Sequence, residues 1–255
     1  KKKNISEENL FYTLDDKDTW KIDDKRELAR VMKNNSLVPK SYLKYKDFEK
    51  ERDKYNENKV WFIKSRGGTS GKGVYCKYNK DITENPGDNY IIQEEIENID
   101  LWSNRKYVIR SYILICNKEA YVHKKSLVFV HGQDYDSSNI SHEVQVSHHG
   151  YWSKTGAVKV HSLEKIGELK GKRSDMYPFL QELLYNVSIK LLKEFPEMIA
   201  ASTEKRYILL GSDYLVINKG NGDYELKIVE VNRYPNISHT DEVNRTVNCR
   251  VVRDM

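Results

Sequence analysis

Two apolar runs near the C-terminal end constrain the fold more than any other feature of this chain. The first is Tyr207-Ile208-Leu209-Leu210-Gly211-Ser212-Asp213-Tyr214-Leu215-Val216-Ile217, and the second climbs through Ile228-Val229-Glu230-Val231-Asn232. The segment Lys219-Gly220-Asn221-Gly222-Asp223 lies between them. Two strand-like runs joined by a Gly/Asn turn predict a hairpin. Side chains alternate along a strand, so Glu230 and Asn232 point to the same face. Pairing across the hairpin can bring Asp213 beside them. Two carboxylates and an amide oxygen on one face form the hard-oxygen set that magnesium prefers, usually completed by phosphates. The alternative is a solvated polar face of an edge hairpin.

The chain has 255 residues, enough for a sizeable core and one or two domains. Hydrophobic residues make up 38% and charged residues 32%, with eighteen tyrosines carrying part of the apolar load. No stretch approaches the ~20 apolar residues that span a bilayer. No charged-then-apolar leader opens the residues, so no secretory signal and no membrane role are expected. Three widely spaced cysteines, Cys76, Cys116 and Cys249, fit neither a disulfide framework nor a zinc pattern, which predicts a reducing, cytoplasmic setting. The net charge of +5 suits an acidic peptide or nucleotide phosphates. No helix-turn-helix, zinc finger or aromatic RNA-binding motif accompanies it, so nucleic acid is not expected.

Along the chain, Asp23-Asp24 can cap a helix to about Asn34, with Leu28, Val31 and Met32 as its apolar stripe. Residues 60–64, 73–78, 90–94, 107–116 and 120–130 read as strands, and 133–150 as a long loop. Ser174 can cap a helix to about Phe195 whose buried face is Leu180, Leu183, Leu184, Val187 and Leu191. A weak helix from Asp241 to about Cys249 closes the chain. Strand groups separated by helices predict an α+β or mixed α/β class.

Three further constellations carry chemistry. Lys64 ends a strand and enters Ser65-Arg66-Gly67-Gly68-Thr69-Ser70-Gly71-Lys72-Gly73, a glycine-rich loop between strands. Its spacing is neither a P-loop nor a dinucleotide fingerprint. Such a loop can turn backbone N–H groups toward phosphates, or be an ordinary hairpin tip. Ile91-Ile92-Gln93-Glu94-Glu95-Ile96 is a strand end of the kind that lines adenine pockets, or a strand simply reaching the surface. Lys106, Val108 and Arg110 share one strand face, and the two cations need an anion if buried. Arg110 can fork onto a terminal phosphate or pair with a structural carboxylate. His142, His148 and His149 read as a solvated loop cluster in preference to a metal site. Arg233 can hold a substrate carboxylate or make a surface salt bridge.

In this order the motifs resemble the ATP-grasp superfamily, and within it the tubulin tyrosine ligase-like family. The matches are Lys64, the loop from Gly67 to Gly73, Gln93-Glu94-Glu95-Ile96, Lys106 to Arg110, His142 to Gln145, Gly211 to Asp213, and Glu230-Val231-Asn232 with Pro235. Asp24-Lys25 and Val38-Pro39-Lys40-Ser41-Tyr42 look like the family's lead-in. The resemblance spans roughly Asp23 to Val251. It implies that Lys64 contacts the α/β-phosphates and that Ser65, Gly68, Gly71, Lys72 and Gly73 close over them. It implies an adenine site at Gln93, Glu94, Glu95 and Ile96. Lys106 and Arg110 would lie at the phosphate and acceptor side, and Asp213, Glu230 and Asn232 would hold magnesium.

Three positions depart from the pattern. Val108 stands where the family usually has Asp, Gln145 replaces Asn, and Lys124-Lys125 are the nearest cations to an expected second arginine. They mark a divergent member and bear on substrate choice more than on ATP binding. The expected architecture is an N-terminal α/β part (1–58), a central lid with the glycine-rich loop (59–98) and a C-terminal domain with the magnesium site (99–255), ATP lying between the last two. The implied activity is ATP-dependent ligation of an amino acid to a carboxylate of an acidic peptide or protein, tubulin among the candidates, through an acyl phosphate. A glutamate ligase of bacterial type, a phosphoryl-transfer kinase on the same fold, and a non-catalytic nucleotide- and peptide-binding relative are the alternatives.

Overall fold

The structure is a computed structural model that describes residues 12–68, 71–146, 158–166, 176–200 and 206–255. His148, His149 and Ser174 lie outside the described residues. The expected hairpin is present as β10 (Arg206–Gly220) and β11 (Asp223–Asn232), paired antiparallel. The first half of β10 pairs with β6 (Tyr107–Cys116), Leu210 opposite Ile113. On its other edge β6 takes β7 (Glu119–Val122) and then β8 (Leu127–Val130), and β9 (Lys159–Ser162) pairs with β8. β1 (Tyr12–Thr13) runs parallel to the start of β10, which makes seven described strands in one sheet.

The run 120–130, expected as one strand, is interrupted between β7 and β8. There the Lys125 N–H donates to Nδ1 of His123 at 3.0 Å, a local side-chain bond that competes with the ladder. The expected loop 133–150 contains a short helix, α4 (His142–Gln145). The expected N-terminal helix is the second of a pair. α1 (Asp16–Asp23) precedes α2 (Lys25–Val31), and Asp24 at the junction accepts from the N–H groups of Arg26 and Glu27, both at 3.0 Å. That is an N-cap, worth about 1 kcal/mol.

Alternation along β6 sorts its side chains between two layers. Tyr107, Ile109, Ile113 and Ile115 join Leu210, Tyr214 and Val216 of β10 in the main core, covered by Ile22, Leu28 and the long helix Met176–Lys193 through Leu180, Leu184 and Leu191. Lys106, Val108 and Arg110 take the opposite face. Further along that face Tyr112 packs with Leu127 and Phe129 beneath Val243, Val247 and Val251 of the C-terminal helical run, whose four-residue spacing is helical.

The smaller sheet has the order β2 (Ser41–Tyr42), β5 (Tyr90–Glu94), β3 (Val60–Ser65), β4 (Val74–Tyr78). N-terminal residues thus give a strand to each sheet. Trp61 and Ile63 bury against Phe48 of α3 (Tyr45–Arg52), the Phe48 and Trp61 rings 5.1 Å apart and edge-on. Phe62 and Lys64 face the other way, toward the large sheet.

One irregularity in the hairpin decides what faces the cleft. Asp213 pairs with Glu230, yet Tyr214 pairs with Ile228, so Val229 is an extra residue in β11. This β-bulge breaks the alternation. Ile228 and Val231 both enter the main core, while Val229 and Glu230 both line the cleft. A regular strand would put 229 and 231 together. Ile228→Ala should therefore destabilise by about 2–5 kcal/mol. Val231→Ala should lose less but with the same sign, and Val229→Ala should stay within about 1 kcal/mol in urea denaturation. A cost at Val229 equal to that at Ile228 would contradict the bulge.

Candidate active site

A cleft between the two sheets gathers most of the predicted site residues. Lys64, Gly68, Gly71, Gln93, Glu94, Ile96, Lys106, Asp213 and Glu230 line it. Phe62, Val74, Val108, His131, Val146, Leu215 and Val229 supply much of its remaining wall.

Lysines define one side. Burial pushes Lys64 down from 10.5 to about 8, with Lys25 and Lys106 adding to the effect and Glu230 opposing it. Burial also pushes Lys106 down to about 8. Lys106 donates to the backbone oxygen of Gln145 at 3.1 Å and lies 4.9 Å from the centre of the Phe62 ring, on which Lys64 also sits at 5.8 Å. Among the described residues neither lysine forms an ion pair. Buried cations without a counter-ion are costly, so this wall is prepared for an anion. Gln145 is itself pinned, its amide nitrogen donating to the Asn139 backbone oxygen at 2.8 Å.

Oxygen donors define the other side. Glu230 sits opposite Asp213 across the bulge, and the Asn232 amide nitrogen donates to Glu230 at 3.3 Å and to the Gly211 backbone oxygen at 3.4 Å. The amide oxygen of Asn232 is not used in those bonds. Among the described residues no three His, Cys, Asp or Glu side chains gather as a metal site; the donor set is two carboxylates and one amide. All three are hard oxygens, so the set fits magnesium better than a soft metal.

Arg110 stands behind the carboxylates. Its Nε and Nη2 donate to the two oxygens of Asp213, each at 2.7 Å, with both residues buried. Burial alone would lower the guanidinium; Asp213 more than offsets it, so the pKa of Arg110 is raised. The carboxylate partner foreseen for Arg110 is thus one of the predicted magnesium ligands. Gly211 makes this packing possible: a Cβ there would lie 2.6 Å from the Pro235 ring and 3.3 Å from Cδ of Arg110.

The two described arms of the glycine-rich loop, 65–68 and 71–73, meet at the open edge. The Ser65 N–H donates to the Gly73 oxygen at 2.8 Å, and a Cβ on Gly68 would fall 2.1 Å from the Lys72 oxygen, so only glycine fits there. His142 contacts the Gly71 oxygen at 3.1 Å. Ser65, Lys72, Gly73, Glu95, Arg110 and Asn232 are not in the cleft wall itself. Lys72 is exposed. Glu94 pairs with Lys59 at 2.7 Å, and Glu95 accepts from Tyr135 at 3.1 Å while burial holds its pKa above the ordinary value. Arg233 pairs with Asp23 at 3.3 Å.

Sequence reasoning passed over Lys25 as a site residue. Its ammonium donates to the Gly68 oxygen at 2.8 Å and lies 3.8 Å from Glu230, which makes it a third cation in the cleft. Its signals were a place just after the helix-capping aspartate and the likeness of Asp24-Lys25 to the family's lead-in, neither of which carries a site role. Phe62 and Leu215 were legible as the residues two positions from Lys64 and Asp213.

A family model described as Tubulin-tyrosine ligase family matches residues 11–255, nearly the whole chain. The chain belongs to this family, whose members are ATP-dependent ligases of the ATP-grasp superfamily. No curated protein matches it.

The lysine pair makes stability depend on pH. An ammonium whose pKa falls on folding costs stability while both states are protonated. The cost fades as pH rises from about 8 toward 10.5, because the unfolded chain then holds more protons. Lys64→Met should be at least as stable as the parent at pH 7 in urea denaturation, and the parent should gain on it between pH 8 and 10. A parent that instead loses ground over that window would contradict an uncompensated Lys64.

Proposed function

We propose that this member of the tubulin-tyrosine ligase family joins an amino acid to a carboxylate of an acidic peptide or protein, using ATP and passing through an acyl phosphate. The observation that carries the reading is the meeting, across one cleft, of two lysines that form no ion pair among the described residues with the carboxylates of Asp213 and Glu230, which Asn232 backs by a bond to Glu230. The first suits a polyphosphate and the second its divalent cation. Phe62, Val146, Leu215 and Val229 offer apolar walls for a base, with Gln93, Glu94 and Ile96 at the strand end beside them.

In this reading Lys64, Lys106 and Lys25 bind and orient the phosphates, and the loop at 65–73 excludes water from them. Asp213, Glu230 and Asn232 hold magnesium, which when bound neutralises charge developing on the transferred phosphoryl group. Arg110 keeps its fork directed at the same cluster and adds positive charge where the carboxylate substrate attacks. No side chain becomes covalently attached; catalysis rests on position and charge. A cytoplasmic setting belongs to the reading and is supported by three free cysteines. No described helix is long and apolar enough to cross a membrane.

One observation favours a binding relative without turnover: Asp213 is already committed to Arg110 through both oxygens. Two measurements separate the readings. Magnesium-dependent thermal stabilisation by ATP at about 100 times its Kd should reach roughly 2.7 kcal/mol and vanish in Lys64→Ala. ADP release with acidic peptides and a mixture of amino acids should follow, and Glu230→Gln should abolish it while ATP still binds. Stabilisation without ADP release from any mixture supports the binding relative, and no stabilisation of the parent removes the ligase reading and leaves a peptide-binding relative of the fold.

A further inference from the structure

Three successive residues at the start of α2 each hold the open end of the smaller sheet. Asp24 pairs with Nε of Arg66, at the root of the glycine-rich loop. Lys25 donates to the Gly68 backbone oxygen at 2.8 Å. Arg26 donates to the Asp88 backbone oxygen at 2.9 Å, and the Arg66 N–H donates to the neighbouring Asn89 oxygen at 2.8 Å. The Arg66 guanidinium also lies 5.9 Å from the centre of the Trp20 ring in α1. The loop root is therefore fastened to the α1–α2 corner by side chains as well as to its own sheet.

Asp24 is the centre of this arrangement. One carboxylate oxygen caps α2 through the N–H groups of Arg26 and Glu27, and the other takes Arg66. The cap holds that carboxylate at one place on the main core, because α2 packs there through Leu28. A group anchored on one side of the cleft and ion-paired to the loop on the other resists opening of the loop. We infer that Asp24 is a positioning residue that latches the glycine-rich loop and sets how fast nucleotide leaves. The inference rests on the nucleotide reading above.

Asn caps a helix as well as Asp does, so Asp24→Asn removes the latch and keeps the cap. The test measures dissociation of magnesium N-methylanthraniloyl-ATP by stopped flow in the parent, Asp24→Asn, Arg66→Gln, the double variant and Lys64→Ala. Each single variant should release the nucleotide about fivefold faster, the upper end for a part-exposed ion pair. The double variant should be no faster than either single one, because both remove the same contact. Unliganded melting temperatures of the single variants should fall by no more than about 2–4 °C, the size expected for loss of one such pair, and added salt should speed release from the parent but not from Asp24→Asn.

Release at the parent's rate from both single variants, in a parent that binds and a Lys64→Ala that does not, overturns the latch alone. Multiplying effects in the double variant overturn it as well. A parent that does not bind the analogue overturns the nucleotide reading and the latch with it. Should Asp24→Asn fail to fold, Arg66→Gln at its part-exposed site decides by itself.

Discussion

Two ammonium groups set between the sheets, with no ion-pair partner among the described residues, are an expensive thing to fold around. Lys64 comes from the smaller sheet and Lys106 from the larger, and burial pulls both down to about 8. The nearest carboxylate, Glu230, offsets only part of that cost at Lys64. Asp213 is closed onto Arg110, Glu94 onto Lys59 and Asp24 onto Arg66. Lys106 contacts Gln145 and the face of Phe62, neither of which carries charge, and Lys64 contacts the same ring. Fixed positive charge of this kind attracts a polyanion far more strongly than exposed lysines would, because the surroundings screen it less.

Much of this was legible in the sequence, for a physical reason. Strand faces follow from a period of two, so Lys106 and Arg110, or Glu230 and Asn232, were on one face once the strands were recognised. The Asp213–Glu230 pairing followed from hairpin logic. The bulge at Val229 was not legible. It depends on a one-residue shift that three-dimensional packing selects, and it places Val229 beside Glu230 while sending Val231 into the core. Lys25 escaped because its role depends on where a helix starts relative to a loop more than forty residues away. The interruption at His123–Ser126 escaped because a local hydrogen bond to His123 won over a continuous β-rich run.

The N-terminal helices tie these parts together. α1 and α2 bury Ile22 and Leu28 in the main core, so their junction is fixed relative to the hairpin that carries Asp213 and Glu230. From that junction Lys25 reaches both Glu230 and the loop backbone. Residues read from sequence only as a lead-in thus connect the cationic and anionic halves of the cleft. Val108 and Gln145, the departures from the family pattern, both lie in the same wall, beside Lys106.

Calorimetry of ATP binding with magnesium at pH 8, repeated in two buffers of different ionisation heat, tests the central claim most directly. Each lysine is about half protonated there and fully protonated once it meets phosphate, so binding should take up roughly one proton from the buffer. Uptake near that size, falling by about half in Lys64→Met, is the predicted result. A binding heat that is the same in both buffers would mean the two lysines do not meet the phosphates.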